Sequence, residues 1–155
     1  MTYWDTACVL KLYTPEPDSG TWLALAAATP EPLYCSELLK TELYFALRQK
    51  EQRREIKPGS AETLYRKFLD DTRRDRLLFI PVGFDVETKA REIGRLCYTA
   101  RKPIPLRTLD GLHLATAVTA KIRRIATTDA RMIDAARLLA LTVVPRIPPL
   151  TPSDL

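Results

Sequence analysis

Glycine is scarce in this chain. It supplies five of 155 residues, and none falls in a GxGxxG or a GxxxxGKS/T arrangement. That excludes the glycine-rich loops that cradle the phosphates of nucleotides and dinucleotide cofactors. No apolar run reaches the roughly 18 residues that a membrane-spanning helix requires. The opening MTYWDTACVL has no basic stretch ahead of an apolar one, so no signal peptide is read there. Cys8, Cys35 and Cys97 are an odd number, far apart and without a CxxC pair. They fit reduced thiols in a cytoplasm better than a disulfide framework or a zinc site. Histidine occurs once, as His113.

What remains is ordinary for a soluble globular protein, with 46% hydrophobic and 28% charged residues. Length and the absence of repeats or long linkers predict one domain over residues 1–155, of which about 146–155 (RIPPLTPSDL) form a proline-rich tail. The net charge of +5 favours a polyanionic partner such as nucleic acid without establishing one. Arginines cluster in RQKEQRREIK, TRRDR, ARKPIPLR and KIRR, at predicted helix ends or in loops, where cations also suit a helix C-terminus.

Short apolar runs alternate with helical patterns. TYW, PLYCS, LLFIPV, RIATT and LTVVP read as strands. Between them TACVLKLY, PDSGTWLALAAAT, ELLKTELYFALRQKEQRRE, PGSAETLYRKFLDDTRRD, DVETKAREIGRLCYTAR, RTLDGLHLATAV and ARMIDAARLLA read as helices. Strands alternating with crossover helices predict an α/β fold, a three-layer α/β/α arrangement around a mostly parallel sheet of five strands. Ligands of such sheets collect at the carboxyl ends of the strands.

Four acids matter in that light. Asp5 follows TYW and Asp129 follows IATT, so each sits at a strand's carboxyl end, where an aspartate also makes a good helix cap. Glu42 interrupts an apolar stripe formed with Leu38, Leu39, Phe45 and Ala46, and has no Lys or Arg at i±3 or i±4; an edge position reaching solvent is the plainer account. Its neighbour Glu37 has Lys40 at i+3 and reads as first-turn decoration. Asp110 lies near the start of a helix that is small or apolar all round, with Thr108 as the expected N-cap. A buried anion needs a compensating charge; Arg107, three residues back, could offer an ordinary salt bridge. His113 is read as a satisfied core residue. Should the four acids converge, like charges would force protonation or the uptake of a cation. Oxygen ligands alone suit Mg²⁺ or Mn²⁺ rather than zinc, and the chemistry that fits is phosphodiester hydrolysis.

At these residues the chain resembles the PIN-domain ribonucleases, in particular the VapC-like toxins of type II toxin–antitoxin pairs. WDTACVLKLY matches the opening strand with its acid, Asp5; CSELLKTELYFAL the segment bearing Glu42; LRTLDGLHLATA the stretch with Asp110; and IATTDARM the strand end with Asp129, with Thr127 as a nearby hydroxyl. The resemblance implies a five-stranded parallel sheet and an acidic pocket in which Asp5, Glu42, Asp110 and Asp129 hold Mg²⁺ or Mn²⁺. It also implies RNA cleavage, a homodimer, and neutralisation by a small cognate antitoxin. Two positions depart from the pattern: Ala7 stands where a serine is frequent, and Gly111 where alanine is usual. A non-catalytic RNA- or protein-binding module on the same fold is the alternative. A phosphotransfer domain is disfavoured, since LTVVP lacks a phosphate-pairing lysine.

Overall fold

A computed structural model describes residues 1–145, so the expected proline-rich tail over 146–155 lies outside the described residues. The elements run β1 (Tyr3–Trp4), α1 (Thr6–Leu10), α2 (Ser19–Ala27), β2 (Leu33–Ser36), α3 (Leu38–Gln52), α4 (Ser60–Arg73), β3 (Leu77–Ile80), α5 (Phe84–Thr99), α6 (Thr108–Thr119), β4 (Arg124–Ala126), α7 (Ala130–Leu138) and β5 (Thr142–Val144). Every predicted strand and helix is present, generally trimmed by a residue or more at its ends, where fraying and turns take over. The five strands are ordered β3-β2-β1-β4-β5, and every pairing is parallel.

Side-chain alternation along these strands divides the core in two. Trp4, Leu33, Cys35, Leu77 and Ala126 pack on one face with residues of α1 to α4, including Leu39, Leu43, Leu47 and Phe68. Tyr3, Tyr34, Ile80, Ile125 and Val143 pack on the other face with residues of α5, α6 and α7, including Ile93, Leu114 and Met132. The three-layer α/β/α expectation is therefore met. With both faces covered, β1 consists of two fully buried residues, which is why it reads as a continuous apolar run rather than an alternating one.

The central strand sets the position of the site. From β1 the chain builds outward to β2 and β3 on one side, then returns to lay β4 and β5 on the other. Neighbouring connections diverge between β1 and β4, leaving a crevice at their carboxyl ends.

Helix α6 is the most enclosed of the seven: Asp110, Gly111, His113, Leu114, Ala115, Thr116 and Ala117 are all buried. Its N-cap corrects an expectation. Arg107, in extended conformation at φ −78° and ψ 158°, occupies the cap and Thr108 is the first helical residue; no side chain caps the helix. Gly111 costs the helix stability without gaining space, because an added Cβ would meet Leu106 Cδ2 at an ordinary 3.7 Å. Gly111→Ala is expected to stabilise the protein by about 0.5–1 kcal/mol, the usual difference between the two residues inside a helix. Denaturant unfolding checks this, and a loss of stability would mean that α6 packs more tightly than that contact indicates.

Candidate active site

Asp5, Glu42, Asp110 and Asp129 line one cleft of about 770 Å³ at the carboxyl ends of β1 and β4. A second concavity of about 620 Å³ lies near the opposite strand ends, at Leu33 and Leu77. Of the acids there, Asp71 accepts a hydrogen bond from the Tyr13 hydroxyl at 2.9 Å and Glu31 lies 3.7 Å from the N-terminal amine.

Asp5 and Asp129 are helix caps and cleft residues together. Each spends one carboxylate oxygen on a helix N-terminus: Asp5 Oδ1 accepts from the Cys8 N–H at 2.8 Å, and Asp129 Oδ1 accepts from the N–H groups of Arg131 at 2.8 Å and Met132 at 3.1 Å. Each second oxygen has other partners. Asp5 Oδ2 accepts a hydrogen bond from the Thr127 hydroxyl, whose oxygen in turn accepts from the Asp129 N–H at 3.2 Å. Thr127 thus ties the two strand-end acids together. Burial raises the pKa of Asp5, and the bonds from Thr127 and Cys8 only partly offset it. Burial also pushes Asp129 upward, but backbone N–H bonds and Arg131 outweigh it, and its net pKa is lowered.

Glu42 does not end in solvent unattended. Its Oε2 accepts from the Thr6 hydroxyl at 2.5 Å and lies 2.7 Å from His113 Nε2. On the far side of the ring, Nδ1 is 2.6 Å from the Tyr3 hydroxyl, and that hydroxyl oxygen accepts from the Ser36 N–H at 3.1 Å. With Ser36 supplying the donor, the Tyr3 proton points to Nδ1, which assigns Nε2–H as the donor to Glu42. Burial raises the pKa of Glu42, but the bonds from His113 and Thr6 and the nearby charges prevail and lower it. The reading of His113 as a satisfied core residue is thus half the answer. It is buried, and one ring edge orients a cleft carboxylate.

Asp110 is met by the salt bridge that the sequence allowed. Arg107 Nε donates to its Oδ2 at 2.7 Å and Nη2 to its Oδ1 at 3.2 Å. The same Nη2 reaches Asp129 Oδ2 at 3.1 Å, across 22 residues of sequence. One guanidinium therefore bridges two of the four acids, and Asp110 and Asp129 are brought together upon it.

Other expectations need revision. Phe45, assigned to the apolar stripe of α3, is 60% exposed and lines the cleft. Glu37 accepts from the Val82 N–H at 2.8 Å, fixing the loop after β3, while Lys40 lies over the Phe79 ring. Among the arginine clusters, Arg48 pairs with Glu51 and Glu62, and Arg73 with Asp70, so part of that charge is already balanced. Thr6 and Tyr3 escaped sequence reasoning. A hydroxyl directly after a strand-end acid was the available signal for Thr6; Tyr3 gave none. All three cysteines are free and buried.

The donor set suits a hard divalent cation, being carboxylate and hydroxyl oxygens with one histidine that is turned onto Glu42. The guanidinium seated between Asp110 and Asp129 shows independently that these acids accept positive charge. Among the described residues, no three His, Cys, Asp or Glu side chains stand close enough to grip one ion as arranged.

Comparison with known proteins agrees with this geometry. Residues 2–138 match the PIN domain family model. Ribonuclease VapC46 of Mycobacterium tuberculosis is 32% identical over 144 residues, covering 92% of this chain and 95% of the relative. Two solved structures share the fold. FitAcB from Neisseria gonorrhoeae has a TM-score of 0.68 at 19% identity and covers 92% of this chain and 96% of that one. VapC20 of M. tuberculosis, a sarcin–ricin loop cleaving toxin, has a TM-score of 0.64 at 18% identity and covers 87% and 95%. Strand-end acids in a crevice of an all-parallel sheet, together with a match over nearly the whole described chain, lead to one conclusion: the protein belongs to the PIN domain family.

Proposed function

We propose that this protein is a divalent-metal-dependent endoribonuclease that hydrolyses RNA phosphodiester bonds and acts as the toxin of a type II toxin–antitoxin pair. The observation that carries the reading is the convergence of Asp5, Glu42, Asp110 and Asp129 on one cleft. The ribonuclease name of the 32% identical relative supports RNA as substrate. In this reading the four acids hold Mg²⁺ or Mn²⁺, directly or through water. The ion supplies Lewis acidity toward a phosphoryl oxygen and stabilises the charge that develops there.

The chain's own residues do the rest. Thr127 holds Asp5 in place, while His113 and Thr6 fix Glu42 in its ionised form. The protein works in the cytoplasm as a homodimer, and a small cognate antitoxin covers the cleft, as the family resemblance implies. No helix among the described residues is long and apolar enough to cross a membrane.

The hold of Arg107 on Asp110 and Asp129 favours a second reading, in which the acids are structural and the fold only binds RNA. One experiment separates the two. Purified protein is incubated with total RNA in Mn²⁺ and in chelator, beside Asp110→Asn, and the ends are mapped. The nuclease cuts at defined sites only with the ion and only with Asp110 intact. Equal RNA binding with and without Mn²⁺, and no cutting in either, would establish the binding module instead.

A further inference from the structure

We propose that Arg107 is a built-in counter-cation of the cleft, which a divalent ion must displace in order to bind, so that this one side chain sets the protein's metal affinity. The inference rests on the metal-dependent reading above and extends it to a residue outside the acid set.

Three observations carry it. The first is contact: Arg107 makes a two-point bond to Asp110 and a further bond to Asp129, at 2.7, 3.2 and 3.1 Å. One unit of positive charge is therefore shared by two of the four acids before any ion arrives, with Arg131 Nη2 a further 3.5 Å contact on Asp129 Oδ2 alone.

The second is location. Arg107 is the N-cap of α6 and caps nothing. A guanidinium has no acceptor for the free N–H groups of the helix, and its charge opposes the helix dipole, which favours an anion at that end. Arginine is thus a poor choice for the helix itself, and its visible return comes from the two carboxylates.

The third is exposure. The Arg107 side chain is 60% exposed, whereas that of Asp110 is 10% exposed. The cation can leave for solvent without opening the core; the acid cannot follow. Displacement then exchanges one unit of positive charge for two on the same carboxylates. The apparent affinity of an ion for a site blocked part of the time falls with the fraction of sites left open.

The test is Mn²⁺ binding to the full chain by calorimetry, with no RNA present. Arg107→Met, which keeps the length of the stem without its charge, is expected to bind Mn²⁺ roughly tenfold more tightly than wild type, the scale of one charge-assisted bidentate pair. Arg107→Lys, which keeps charge but loses the fork, should fall between the two.

Thermal unfolding supplies a second signature. In metal-free buffer Arg107→Met should melt below wild type, because Asp110 has lost its cation and Asp129 keeps only Arg131; saturating Mn²⁺ should erase that deficit. A purely structural role predicts a deficit that Mn²⁺ leaves in place. Should the methionine variant misfold, Arg107→Gln is read in its stead. Equal or weaker Mn²⁺ binding by the uncharged variants overturns the inference while leaving the metal reading intact. No Mn²⁺ binding by any of the proteins, wild type included, overturns both.

Discussion

Asp5→Asn is expected to abolish RNA cleavage and, in the metal-free protein, to increase stability at neutral pH. Both effects come from the same burial. Asp5 is 3% exposed at the end of the central strand, and its partners are the Cys8 N–H and the Thr127 hydroxyl, with no cation bonded to it among the described residues. Asparagine can keep that geometry. Its amide oxygen would accept from Cys8, and its NH₂ would donate to the Thr127 oxygen, which has a free lone pair once the hydroxyl turns away.

What is lost is the charge. Charge stabilisation by a bound ion contributes several kcal/mol to such reactions, so the rate should fall by about a thousandfold or more. What is gained is relief from a buried anion, about 1–2 kcal/mol. The sign follows from linkage. The folded-state pKa of Asp5 is raised by burial, so the folded form binds its proton more tightly than the unfolded chain does. The penalty is fully present above the folded pKa and absent below the unfolded value, and the advantage of the variant should shrink as the pH falls between them.

Mn²⁺ should reverse the order of stabilities. An ion present at 100 times its dissociation constant stabilises the protein that binds it by about 2.7 kcal/mol, and Asp5→Asn should forgo most of that. Cleavage at the wild-type rate by a folded Asp5→Asn would remove Asp5 from the chemistry. A variant less stable than wild type at pH 7 without metal would show that the buried charge is not a cost.

The site was legible in the sequence wherever it depends on chain-local signals. Asp5 stands directly after β1 and Asp129 three residues past the end of β4, close enough that a strand-like run followed by an aspartate was enough to place them. Glu42 stood out for its lack of a cation at helical spacing, and it is a hydroxyl and an imidazole from other elements that meet it. Asp110 stood out against an otherwise apolar helix.

Contacts between distant segments were not legible. Arg107 was visible as a partner for Asp110 at i+3, yet nothing in the chain announces that the same nitrogen reaches Asp129. Phe45 fits an apolar stripe by period alone, but α3 rolls it into the cleft mouth, since a period assigns residues to a face and leaves the width of the buried stripe to the packing partner. His113 posed the hardest case. Burial was foreseen, and a buried imidazole has two edges whose partners come from β1 and α3, elements far away in sequence.

That imidazole carries the second large effect. His113→Phe keeps a ring of similar size and removes both polar edges, and it is expected to lower cleavage by about 10- to 100-fold, the usual cost of losing a group that orients a metal-binding side chain. Stability should fall as well, by about 1–3 kcal/mol, because the Tyr3 hydroxyl would keep its bond from Ser36 but have no acceptor for its own proton.

The pH profile distinguishes orientation from simple damage. In wild type, burial pushes the Glu42 pKa up and the His113 bond is the leading influence drawing it down below the ordinary glutamate value. Without the imidazole only Thr6 and more remote charges oppose burial, so Glu42 should take up its proton at higher pH and the acidic limb of the activity profile should move upward. Stability should report the same change with the opposite emphasis. A depressed folded pKa contributes stability that is present above the unfolded value and lost as the pH falls through the folded one; in His113→Phe that contribution should be largely gone, and the acid-side decline of stability correspondingly flatter. Reduced activity with an unmoved acidic limb would mean that His113 supports the fold alone and that Glu42 owes its ionisation to other neighbours.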